Sequence, residues 1–390
     1  MKFATRPGAF CATGLTAICL LAVALASGQT PPAQKPQLAE EAFKNVQVLR
    51  GIPVNEFMET MGFFAASLGE NCTFCHVEES GGDWARYADD QAQKTTTRKM
   101  IVMMNLINQT YFGGKRYVTC FSCHHGDDRP EITPNLALQY SVPIPIEPDT
   151  LQEAAPGVSS VDKILGRYIQ ALGGAQQLAK VTAFAAKGTY QGFGELDKYP
   201  LEVFAKAPDQ RATFVHEPAG DIAATYDGNA GWSAAPAIAK PVPVVPLTAG
   251  DLEGARLDAQ LSFPAQIKQT LKDWRVIFPS TINNVDVDVV QGTSDGRTPV
   301  NFYFSKSTGL LMRIVRYNDS PVGFNPTQID YADYRLVSGS AIKMPFKWTV
   351  TWTDGRSITQ LTTVQLGARI DPAKFAKPPV PAAPPKPAKP

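Results

Sequence analysis

The sequence predicts a multidomain chain: a small α-helical unit followed by a mostly antiparallel β domain of α+β type. Three observations carry this. Two amphipathic helix patterns within residues 41–126 each lead into a C-x-x-C-H sequence. A proline-rich stretch from Asp127 to Pro156 then breaks the periodicity. Beyond it, strand-length apolar runs alternate with Asp-Gly turn pairs.

The N-terminus reads as a secretory signal over residues 1–26. Lys2 and Arg6 precede an uncharged apolar run from Cys11 to Ala26, and Ala24-Leu25-Ala26 fits a small-residue cleavage site. An uncleaved membrane anchor is the other reading, although the run is short for a spanning helix. Either way the chain is expected to be exported, to the periplasm or another extracytoplasmic space. Residues 27–40, rich in Pro, Gln and Ala, read as a loose lead-in.

The first helix is expected from about Asn55 to Leu68, with Asn55 as N-cap and Gly69 as its stop. Met58, Met61, Ala65 and Leu68 share one face at helical spacing. The second is expected from about Thr95 to Asn108, with Met100, Met103 or Met104, and Ile107 turned inward.

Each helix precedes a motif, Cys72-Thr73-Phe74-Cys75-His76 and then Cys120-Phe121-Ser122-Cys123-His124. Two thiols at this spacing can each form a thioether to one porphyrin, and the adjoining histidine falls beneath the iron. The motifs use every cysteine outside the leader. Export sharpens the point, because free thiols in an oxidising compartment need a fate. Disulfides or zinc are the rivals, but the 44 residues between Cys75 and Cys120 exceed the usual zinc-ribbon spacing and leave both histidines unexplained. The expected cofactors are two covalent haem c groups on Cys72, Cys75, Cys120 and Cys123, with His76 and His124 as proximal iron ligands.

A neutral thioether ligand favours ferrous iron, which makes the helix methionines candidates for the opposite side; core packing is the plainer role for a methionine. Of the four histidines, His125 is a surface neighbour of its motif or a distal ligand of the other haem, and His216 reads as structural. Arg86, Lys94, Arg98, Lys99, Lys115 and Arg116 suit propionates, an acidic partner or a solvated helix face. Trp84, Tyr87, Phe63, Phe64, Tyr111 and Tyr117 suit porphyrin edges or ordinary core.

Glu56-Phe57-Met58 through Gly69-Glu70-Asn71 into the first motif, and Arg98-Lys99-Met100 through Val118-Thr119 into the second, resemble the cytochrome subunit of photosynthetic reaction centres. The resemblance covers about residues 42–130 and implies a helix carrying a distal methionine, a turn, then the attachment motif. It points to Met58 and Met100 as distal ligands; spacing alone leaves Met61 and Met103 open. This chain has two motifs where that family has four, and His125 where the family usually has arginine.

Residues 127–158 read as a Pro-rich linker, and Ser159–Leu172 as a helix capped by Ser159 and stopped by Gly173-Gly174. From 159 to 375 strand-like runs include Leu201–Ala205, Val285–Gln291, Val300–Phe304, Leu310–Tyr317 and Lys347–Thr353. They are punctuated by Asp227-Gly228, Asp295-Gly296 and Asp354-Gly355. Asp251–Leu261 and Pro264–Leu271 are further helix candidates. Asp286 and Asp288 alternate with valines and read as a solvent face. The stretches Tyr226–Trp232, Tyr303–Leu311 and Asp333–Gly339 resemble, more weakly, the half-barrels of outer-membrane lipoprotein carriers. Residues 376–390 read as a disordered Pro/Ala/Lys tail.

The composition, 44% hydrophobic and 19% charged with a formal net charge of +1, gives no argument for nucleic acid. No catalytic triad, phosphate loop or carboxylate pair is recognisable. The leading expectation is an electron carrier between a redox donor and acceptor, within reach of a membrane-associated complex. The alternatives are a lipid- or quinone-binding sensor using the β domain, and a dihaem peroxidase-like enzyme with one open iron.

Overall fold

In the computed structural model, residues 35–81, 83–130, 132–133, 150–237, 240–294 and 297–381 are described. The expected leader, most of the lead-in and the tail, part of the Pro-rich linker and the Asp295-Gly296 turn lie outside them. The helical part comprises α1 (Ala39–Ala42), α2 (Val54–Leu68), α3 (Cys72–Cys75), α4 (Ala92–Tyr111) and α5 (Cys120–His124). The β part carries α6 (Val161–Ala171), α7 (Ala175–Leu178), α8 (Ala249–Leu261) and α9 (Ile267–Thr270).

Its strands are β1 (Ala183–Gln191), β2 (Tyr199–Lys206), β3 (Gln210–Glu217), β4 (Gly220–Tyr226), β5 (Gly231–Ala234), β6 (Val244–Pro246), β7 (Lys272–Val276), β8 (Ser280–Ile282), β9 (Val285–Thr293), β10 (Val300–Ser305), β11 (Leu311–Ser320), β12 (Gly323–Leu336), β13 (Lys343–Trp352) and β14 (Gly355–Leu366). They form one antiparallel sheet in the order β6-β5-β4-β3-β2-β1-β14-β13-β12-β11-β10-β9-β7, with β8 beside β9. Consecutive strands are neighbours almost throughout, and the β1–β14 pairing joins the two halves of the meander. This is the α+β arrangement the sequence predicts.

The core lies where α6 and α8 cover the sheet. Ile164, Leu165 and Tyr168 of α6 pack on Phe302, Phe304 and Ile314, with Leu257 of α8 in the same cluster. A second cluster joins Phe184, Leu201, Val203, Phe263, Phe346 and Leu361. The other side of β9 is covered too, by Ile277 and Ile282 against Val287 and Val289.

Several expectations need correction. Asn55 is not the cap of α2; Pro53 is, and the Asn55 side chain donates to Asp251 at 3.1 Å. Ser160, rather than Ser159, caps α6, accepting from Lys163 N at 3.3 Å. Asp288 is not a solvent-face residue. It shares a face of β9 with Val290, under α6, and Arg167 ion-pairs with it at 2.5 Å. Alternating charge looks like a wet face until a guanidinium from another element covers it.

The helical part is fastened to the sheet at the β11–β12 hairpin. The tip, Ser320-Pro321-Val322-Gly323, reaches between α2 and α4, where Val322 is fully buried with Leu49, Phe63, Ile101 and Met104. A Cβ on Gly323 would lie 2.3 Å from Phe63 Cζ, so only glycine admits the aromatic ring at this distance. A polar layer lies beside it: Asn318 Nδ2 donates to Glu59 and to Asp251, each at 2.9 Å.

Candidate haem site

The two attachment motifs fold alike. Each is a single helical turn whose start is fixed by a side chain. Asn71 accepts from Thr73 N at 3.0 Å; Thr119 and Ser122 cap each other reciprocally, with Thr119 N donating to Ser122 Oγ at 2.7 Å. All four cysteines are free thiols: Cys72 and Cys123 exposed, Cys75 and Cys120 half-buried. Burial pushes the Cys75 thiol up and takes that of Cys120 to about 11.

The histidines show the closest correspondence. His76 Nδ1 lies 3.0 Å from the Tyr87 carbonyl oxygen, and His124 Nδ1 lies 3.1 Å from that of Asp127. A carbonyl can only accept, so each Nδ1 carries the proton and donates it. That fixes the tautomer and leaves each Nε2 with a lone pair for a metal. The His76 ring packs on Tyr87 at 4.7 Å, and Tyr87 stacks on Trp84 at 5.1 Å. Burial, then the Lys94 ammonium, hold the His76 imidazole below its usual value, which favours the neutral ligating form.

The units are packed crosswise. The first motif (α3) lies against α4, the helix of the second unit, and the second motif (α5) lies against α2. Gln91 Nε2 donates to Phe74 O at 2.9 Å, and Gly126 N to Ser67 O at 2.9 Å. Gly69 ends α2 at a positive φ of 68°, where a Cβ would sit 2.2 Å from Gly126 O. Nothing in the local sequence signals this exchange, because it joins segments about a motif apart.

The methionine faces differ from the inward arrangement expected for α4. Ile101, Met104 and Asn108 are its buried side, whereas Met100 is 40% and Met103 47% exposed. On α2 the buried side is Thr60, Phe63 and Ser67, and Met58 is 38% exposed. Most large apolar side chains left exposed among the described residues fall between Val48 and Phe121. Exposed apolar faces beside thiols and singly bonded imidazoles suit an apolar macrocycle carrying iron. Among the described residues no three His, Cys, Asp or Glu side chains converge as a metal site. A porphyrin supplies its own equatorial donors, so axial side chains are all the protein must add.

Other sequence candidates have structural partners. His216 bonds Asp221 at 3.0 Å on β3, and His125 is the exposed left-handed residue after α5. Arg86 pairs with Asp89, Arg98 with Asp90, and Arg116 with Asp319 at the hairpin. In the β part, the apolar cavity among Tyr168, Leu172, Leu261 and Tyr331 holds about 60 Å³. No described helix is long and apolar enough to cross a membrane.

Two C-x-x-C-H turns with tautomer-fixed histidines, on a helical unit seated on an antiparallel sheet, define a cytochrome-like class of protein. Comparison with known proteins agrees over that unit. Residues 20–139 match the family described as photosynthetic reaction centre cytochrome C subunit. The photosynthetic reaction center cytochrome c subunit of Thermochromatium tepidum is 35% identical over 97 residues, 24% of this chain and 23% of that protein. That of Roseobacter denitrificans is 31% identical over 102 residues, 24% of this chain and 27% of its own length. The chain thus spans about a quarter of the curated relatives it matches. Among solved structures, a LolA superfamily protein from Nitrosomonas europaea covers 56% of this chain and 99% of its own, with TM-score 0.35 and 14% identity. A DUF1329 family protein from Desulfovibrio piger covers 55% and 97%, with TM-score 0.38 and 10% identity.

Proposed function

We propose that this chain is an exported dihaem c-type cytochrome that passes single electrons between redox partners. The observation that carries the reading is the repeated imidazole geometry: two C-x-x-C-H histidines, each with Nδ1 tied to a carbonyl and Nε2 free. Residues 41–126 form the redox unit, residues 127–158 a connecting strap, and residues 159–375 the β domain on which the unit is seated. Residues 1–26 direct export. The donor and acceptor are redox proteins, one of them within a membrane-associated complex.

Bound at these motifs, haem supplies a one-electron ferric/ferrous couple. The chain's residues do the rest. Cys72, Cys75, Cys120 and Cys123 fix the macrocycles so that neither can be lost. His76 and His124 hold Nε2 toward iron in one tautomer. Met58 and Met100, exposed on α2 and α4, would supply neutral sulfur ligands to bound haem, which would leave outer-sphere transfer as the natural chemistry. The wild-type holoprotein is therefore expected to bind carbon monoxide poorly. Met58→Ala and Met100→Ala should each open one iron, giving one high-spin ferric signal and carbon monoxide uptake at half the haem. Ready uptake by the wild type would reject this ligation and favour a peroxidase-like site.

A further inference from the structure

The two proximal histidines share a hydrogen-bond pattern but not a charge environment. At the first motif, the Tyr87 carbonyl that accepts from His76 Nδ1 at 3.0 Å also accepts from Lys94 Nζ at 2.8 Å. Lys94 is held there by a second bond, to Asp89 O at 3.1 Å, and its side chain is only 14% exposed. Glu78 and Glu79, on the turn after the motif, are exposed to solvent, whereas the carboxylates closest to Lys94 are engaged. Asp89 pairs with Arg86 at 3.0 Å, and Asp90 with Arg98 at 2.8 Å; Asp90 also lies 3.7 Å from Lys94 Nζ. Two cations therefore share the one carboxylate of Asp90, and the little-exposed Lys94 ammonium stands on the carbonyl that holds the histidine. At the second motif the His124 Nδ1–H donates to Asp127 O at 3.1 Å, and among the described residues no cationic side chain shares that oxygen. The charged neighbours there, Asp127, Asp128 and Arg129, are all exposed.

We infer that Lys94 sets the two irons apart in potential, making the haem held by His76 the stronger electron acceptor of the pair. The inference rests on the dihaem reading above. Two effects act in the same direction. A carbonyl already bonded to an ammonium is a weaker acceptor for Nδ1–H, so His76 gains less imidazolate character and stabilises ferric iron less. The charge itself also disfavours the extra positive charge of the ferric state, and in a half-buried site it is only partly screened. The exposed carboxylates after each motif, Glu78 and Glu79 at the first and Asp127 and Asp128 at the second, are screened by solvent and distinguish the two haems little. Electrons entering at the His124 haem would then move toward the His76 haem.

The test is a redox titration of the full-length holoprotein followed by visible absorbance and magnetic resonance. The titration steps are assigned with Cys72→Ala/Cys75→Ala and Cys120→Ala/Cys123→Ala variants, each retaining one haem. The haem at His76 should titrate at the higher potential. Lys94→Gln, which can still donate to the Tyr87 carbonyl, should lower the ferrous:ferric ratio of that haem about three- to tenfold at fixed potential and leave the other unmoved. Lys94→Arg, which keeps the charge, should restore it. Equal shifts in both haems, no shift in either, or the reverse order of potentials would overturn the inference. If the protein holds no haem or shows no reversible one-electron steps, it is the electron-carrier reading itself that fails.

Discussion

Replacing Phe63 with alanine will lower the stability of the folded chain by about 3–5 kcal/mol, the usual range for emptying a buried phenylalanine site. Phe63 is 7% exposed and is the residue of α2 that meets the β11–β12 tip. Its loss opens a cavity among Leu49, Ile101, Met104 and Val322. It also removes the ring that seats the helical part on the sheet. The geometry supports a sharper version. Gly323→Ala alone should be strongly destabilising, since the new methyl would fall 2.3 Å from Phe63 Cζ. In the Phe63→Ala background the clash is gone and only the backbone strain remains. The double variant should therefore be more stable than the sum of the singles predicts, by about 1 kcal/mol or more. Urea denaturation of the four proteins measures this coupling; strict additivity would show that the tip does not bear on the ring.

Glu59→Gln should make the protein more stable at alkaline pH and remove much of its pH dependence. Burial, then the neighbouring Asp251 carboxylate, push the Glu59 pKa well above the ordinary value of 4.5. The folded chain therefore retains a proton that the unfolded chain has released. Stability from this group is fully present below about pH 4.5. It declines as pH rises from there toward the folded-state pKa, by up to about 1.4 kcal/mol per pH unit. Glutamine keeps an oxygen for the Asn318 amide, and its own amide hydrogens can serve Asp251. Melting curves at pH 5 and pH 9 should converge in the variant and diverge in the wild type. An unchanged slope in the variant would assign the wild-type pH dependence to another group.

The proposed attachment chemistry is legible in the sequence because covalent attachment would need contiguous residues. Cys72 to His76 and Cys120 to His124 each set two thiols and an imidazole within one turn. The strands of the β part were legible where alternation and turn pairs coincide. Thus Val300–Phe304 falls within β10, and Asp227-Gly228 opens the loop between β4 and β5. Long-range partners were not legible. Asn55 looks like a helix cap, yet its side chain is taken by Asp251, 196 positions on. Ser320-Pro321-Val322-Gly323 carries no local signal of its role, and its valine is fully buried between two helices. Asp288 looks wet until Arg167 is placed above it. Lys94 reads as one basic residue among several, and only the fold brings it to the carbonyl that holds His76. In each case the deciding neighbour is supplied by topology, whose signal is spread over the whole chain.

The electron-carrier account is tested most directly by the intact mass and pyridine haemochrome spectrum of protein matured in a host competent for cytochrome biogenesis. The account predicts a mass above that of the processed polypeptide by two haem groups, both retained on denaturation, with a haemochrome band of matching intensity. A polypeptide of bare mass with no such band would contradict it.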